Sequence, residues 1–192
     1  MTGINPVLTT QVNTNTNTNS TLDQISQKTK FVLQANQQLK LDYEEFTNST
    51  DDSNVISQGS QIYNSLVLSN EEASFVNQSG AYAKLRQSGL SEENAVETLQ
   101  EALEKDYKEI MQSSNDPQTQ ATASKEYEAA KAALSKLEDI VTKNPGNADQ
   151  VIFNEINKFV EKFDQAQSSG SMFNSIVALE SSSNGNKAMA LA

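Results

Sequence analysis

Carboxylates are the only abundant groups in this chain able to do acid/base or metal chemistry, and their densest pairs are Asp51-Asp52 and Glu92-Glu93. Paired carboxylates catalyse when they converge across a cleft and burial raises one pKa. Neighbours in sequence on a helix point to different sides, so both pairs read as solvated surface. The run from Asp51 also fails as a calcium loop, because it lacks the glycine at the sixth position and the closing glutamate. There is no His and no Cys. Their absence removes the commonest general base and transition-metal ligand, and with them thiolate catalysis and disulfides. No phosphate-binding loop, dinucleotide glycine fingerprint or nucleophile elbow occurs. The expectation is a protein without catalytic residues, metal or cofactor, acting through contact surfaces. Tyr43, Tyr63, Tyr107 and Tyr127 fall on apolar stripes and read as core. Tyr82 lies off its stripe and reads as surface.

Charge and hydropathy narrow the partners. The 192 residues carry a net charge of −11, and the basic residues are scattered among acids, so no basic face is available for nucleic acid. Residues 69–113 hold nine acids and four bases, a net −5 of that total, which favours a basic partner surface and repels anionic lipid. No apolar run reaches the length of a membrane span. The first residues, Met1 to Pro6, lack the basic and apolar regions of a cleaved secretory signal. If the protein leaves the cell, it is expected to take another route.

The elements that must carry these surfaces are helices. Leu22, Ile25, Thr29, Val32, Asn36, Leu39, Tyr43 and Phe46 recur at spacings of 3, 4, 3, 4, 3, 4 and 3, which predicts a helix from about Thr21 to Phe46 with one continuous heptad seam. Asn36 sits mid-seam, where a buried amide weakens packing but fixes register. Two accounts stand side by side: the seam packs within its own bundle, or it forms an intermolecular coiled coil. On the second, Leu22, Ile25, Val32, Asn36, Leu39, Tyr43 and Phe46 are the partner-binding residues.

A polar linker at 47–54 ends this helix. A second helix is predicted over Ser53 to Leu68, with Gly59 in its interior. Ser69 and Glu72 form a capping box for a third, about Asn70 to Ser88, whose stripe of Ala73, Val76, Gly80 and Ala83 is small. Gly89 and Leu90 fit a Schellman stop. Ser91 caps a fourth helix with Val96, Leu99, Leu103, Tyr107 and Ile110 on its apolar side. Asp116-Pro117 starts a fifth, with Ala123, Tyr127, Ala130, Leu134, Leu137 and Val141 in register. Asn144-Pro145-Gly146-Asn147 is a turn, and beyond it the stripe of Val151, Ile152, Ile156, Phe159, Val160 and Phe163 predicts an αα-hairpin with the densest core.

Ser168-Ser169-Gly170 breaks that helix, and Met172, Phe173, Ile176 and Val177 follow in a short apolar segment. It either docks on the bundle or stays exposed for polymerisation or partner docking. The assignment is thus all-α: an elongated helical bundle with coiled-coil-like helix pairs over 21–167, a short apolar helix and tail over 168–192, and a disordered low-complexity arm over 1–20.

That arm alternates Asn and Thr from Asn13 to Asn19, too polar to offset its ordering entropy. In composition it resembles the Ser/Thr/Asn-rich, uncleaved N-termini of substrates of type III and flagellar export machines. The resemblance implies an export signal; together with the absence of Cys, the heptad seam and the apolar C-terminal end, the expectation is an exported or assembly-forming protein, such as a filament, tip or cap component or an effector, with self-assembly or a protein partner engaged through helical seams. The competing expectation is a cytoplasmic adaptor, scaffold or chaperone that binds a partner helix along the seam.

Overall fold

The computed structural model describes residues 14–166 together with Phe173 and Ile176, with side chains from Ser20 to Asp164. Six helices make up the continuous described stretch: α1 (Thr14–Asn48), α2 (Ser53–Leu66), α3 (Asn70–Gln87), α4 (Glu92–Ser113), α5 (Pro117–Lys143) and α6 (Ala148–Ala166). The described residues are all-α and include no strand.

Local chemistry sets the boundaries. Asp52 caps α2, its carboxylate accepting from the N–H groups of Asn54 and Val55. Ser69 and Glu72 form the reciprocal capping box at α3. Ser91 caps α4, and Asp116 with Pro117 opens α5. Each such cap satisfies N–H groups that the first turn leaves without intrahelical partners. Gly89 adopts a φ of 101°, and the N–H of Leu90 reaches the carbonyl of Leu85 at 3.3 Å, which closes α3 in the left-handed conformation that glycine adopts without strain.

The first helix starts earlier than its apolar spacing predicts. Thr14 to Ser20 belongs to α1, because adding residues to an established helix avoids the nucleation cost. Residues 1–13 of the expected arm lie outside the described residues, as do Met172, Val177 and the tail to Ala192.

α1 is the long element and the others are laid along it. α2 and then α3 run antiparallel to it: Gly59 meets Phe46, Leu68 meets Asn36, Gly80 meets Thr29 and Gln87 meets Asp23. α6 runs parallel to α1 on its other flank, with Lys28 over the Phe153 ring and Lys162 donating to the carbonyl of Val67. α3 also packs on α5, and α4 on α5. The core gathers Leu22, Ile25, Val32 and Leu39 of α1 with Phe75, Val76 and Tyr82 of α3, Leu134 and Leu137 of α5, and Ile152, Ile156 and Phe163 of α6. Full burial of each large aliphatic side chain contributes roughly 1.5–3 kcal/mol.

The turn at Asn144–Asn147 forms as predicted, with Gly146 at a φ of 75°. The hairpin it joins is splayed, however: α6 lays its main face on α1 and touches α5 only lightly. Lys136 spans the separation, reaching Glu155 at 3.2 Å and covering the Phe75 ring. The densest packing therefore surrounds α1 and α3 and is not confined to the α5/α6 pair.

Candidate functional site

Three regions bear on function: the α1 seam, a buried polar knot at one end of α3, and the outer face of α4. In the seam, Leu22, Ile25, Val32, Leu39 and Phe46 are buried, as are the polar members Thr29 and Asn36. Tyr43 is partly buried. The helices these residues meet belong to the same chain. Asn36 Oδ1 accepts the N–H of Leu68 at 2.9 Å, so the mid-seam amide satisfies a backbone donor at the break between α2 and α3. Gly59 makes room for Phe46: a Cβ there would stand 2.0 Å from the Phe46 ring. Phe173 stacks on Phe46 with ring centroids 5.0 Å apart, and it is buried together with Ile176. Neither the seam nor this aromatic seat therefore leaves an uncovered apolar stripe.

The polar knot lay beyond sequence reasoning. Tyr82, expected at the surface, is fully buried, and its hydroxyl donates to Asp149 Oδ1 at 2.8 Å. Arg86 grips the same carboxylate with two nitrogens, Nε to Oδ1 at 3.3 Å and Nη2 to Oδ2 at 3.0 Å, and its Nη1 donates to the carbonyl of Leu90 at 2.6 Å. Glu92, also buried, accepts the N–H of Gly146 at 2.8 Å. The knot ties the end of α3, the start of α4 and the turn into α6. Burial, reinforced by the negative charge and hydrogen bond of Asp149, pushes the Tyr82 phenol well above its usual range. The signal for burial was the one-turn spacing of Phe75, Ser79 and Tyr82, a second stripe beside the Val76–Gly80–Ala83 one. α3 is enclosed from several sides, so reading one apolar face found only half of its contacts.

The knot offers no open chemistry. Its groups are mutually satisfied, and Tyr82 is held neutral. No cluster of three or more acids that could hold a metal ion occurs among the described residues, and no described helix is long and apolar enough to cross a membrane.

The outer face of α4 is the exposed contrast. Seven acids and two lysines lie on this helix. Its apolar side is buried at Ala95 and Val96 only; Leu99, Leu103 and Tyr107 are partly covered, and Ile110 is 39% exposed. Along its outer half the inter-helix contacts run to α5. Tyr107 stacks on Tyr127 with centroids 4.1 Å apart, Tyr107 pairs with the Ser124 hydroxyl at 3.2 Å, and the Tyr127 hydroxyl donates to Glu104. A broad surface depression lined from Gln100 to Gln112 is formed by α4 alone. A depression with one wall cannot enclose a small molecule.

A second groove lies between α1 and α3, lined by Ser26, Thr29, Lys30 and Leu33 on one side and Gly80, Ala81 and Lys84 on the other. The Ser26 hydroxyl oxygen is buried there without a hydrogen-bond partner.

The fold and sites thus define an all-α helical protein with no enclosed pocket at the regions described. The chain matches no known family, curated protein or solved structure.

Proposed function

We propose that the protein is an exported or assembly-forming helical interaction protein, a structural component or effector handled by a type III or flagellar-like secretion system, and not an enzyme. The observation that carries the interaction reading is the one-sided packing of α4. Past its first turns, which pack on α3 and bury Glu92, α4 lies against α5 with its acid-rich outer face in solvent, and such a face is free to meet another protein. The α1 seam, an unbroken heptad series pairing with α2 and α3, supports a coiled-coil-like pairing used inside the chain. The export part rests on the Asn/Thr-rich start of the sequence. A chain with no Cys and no His fits a role in which surfaces and not side-chain reactivity are selected.

Sedimentation and electron microscopy at raised concentration test assembly, and immunodetection in the culture medium of the source cells tests export. Concentration-dependent oligomers and protein outside the cell are expected. A persistent monomer confined to the cell overturns the reading.

A further inference from the structure

The groove between α1 and α3 is a basic spot on an acidic molecule. Lys30 and Lys84 are exposed on its walls, no acid lines it, and neither lysine makes an ion pair among the described residues. Small residues, Gly80 and Ala81, let the helices approach and leave an apolar floor beside Leu33. The Ser26 hydroxyl beneath is a buried polar atom left without a hydrogen bond, a local cost in the groove wall.

A complementary surface lies elsewhere on the same chain. Glu93, Glu97 and Glu101 fall one turn apart on α4, all exposed and none in an ion pair among the described residues. Like charges at that spacing repel, so the stripe gains from meeting cations. The axial spacing agrees. Gln87 pairs with Asp23 and Gly80 lies against Thr29, which sets Lys84 level with Ser26, one turn below Lys30. At about 1.5 Å per residue the two lysine backbone positions, on opposite walls, are offset by about 6 Å along the groove axis, the same rise that separates Glu97 from Glu101.

We propose that the α1/α3 groove receives the α4 face of a second copy of the chain, Lys30 and Lys84 pairing with the second copy's Glu97 and Glu101. This rests on the assembly reading above and names its surface. With one groove taking one stripe the contact is heterologous: the resulting pair keeps one free groove and one free stripe, and addition continues head to tail.

The test is charge reversal in the full chain, followed by sedimentation velocity at low ionic strength. Lys30→Glu with Lys84→Glu, and separately Glu97→Lys with Glu101→Lys, are each expected to raise the concentration needed for association at least tenfold. Mixed in equal amounts, the two reversed proteins are expected to associate again as alternating copies, which also shows that both are folded. Wild-type association should weaken as salt is added. If wild type assembles and the reversed proteins assemble equally well, or their mixture fails to recover, this surface is wrong while assembly stands. If wild type stays monomeric throughout, both fall.

Discussion

α1 and α4 are both long helices with apolar residues at helical spacing, and the structure treats them in opposite ways. α1 is clasped by α2, α3 and α6, and its seam residues from Leu22 to Phe46 are buried, save Tyr43, which is partly so. α4 leans on α5, and of its five expected stripe residues only Val96 is buried. The periodicity is equally regular in the two; what differs is how many neighbours the topology supplies. An apolar stripe thus reports that a helix packs, and not how deeply. The enclosed helix builds the fold, and the half-covered one carries the charge and the free surface.

The comparison breaks first on core deletions. Ile156→Ala empties a fully buried site in the core and is expected to cost about 3 kcal/mol, within the usual range of roughly 2–5 for such truncations. Leu103→Ala, on the half-covered stripe of α4, should cost about 1 kcal/mol. Urea unfolding of the two variants measures both, and equal losses would erase the distinction between the helices.

The polar knot comes next. Asp149→Ala strands Arg86 and the Tyr82 hydroxyl, and breaking a buried pair of this kind costs about 3 kcal/mol. Tyr82→Phe is milder, at about 1 kcal/mol for one hydrogen bond, and carries a pH signature. The folded phenol is pushed upward, first by burial and then by Asp149. Its contribution is therefore fully present below the unfolded tyrosine value of about 10 and is lost as pH rises above it. The stability gap between wild type and Tyr82→Phe should shrink in that window. A gap that stays constant into strong alkali would show that Tyr82 is not the buried neutral donor described.

Gly59→Ala sharpens the contrast at the α1/α2 end. The new methyl would collide with Phe46, whose ring is pinned by Phe173, and about 2 kcal/mol is expected from the overpacking. The smallest effect belongs to the open side: Ile110→Ser should shift stability by less than about 0.5 kcal/mol. Amide hydrogen exchange completes the series, with the outer half of α4 expected to exchange before α1 and α3. Slower exchange in α4 would refute one-sided packing.

Much of this architecture was legible in the residues. Ser69 with Glu72, Ser91, Asp116 with Pro117, and Gly89 with Leu90 each mark a boundary through a local hydrogen-bonding need, and each stands where that need predicts. The seam of α1 was legible as a seam. Whether its mate lay in the same chain was not, because a heptad series encodes a face and carries no address. Tyr82 was misplaced because α3 is enclosed from several sides, so a residue off one stripe lies on another. The α1/α3 groove was equally hidden: Lys30 and Lys84 are distant in sequence, and only the antiparallel register of the two helices brings them to one trough.

The ring stack of Phe46 and Phe173 joins positions separated by most of the chain. A polypeptide emerging from a ribosome delivers Phe46 well before its cover, with α2 to α6 made in between. Until then the far end of α1 has an unfilled aromatic seat, and a contact that closes so long a loop forms late. The molecule is thereby given an order in time: the far end of α1 is made before the helices that follow it and is completed only after them.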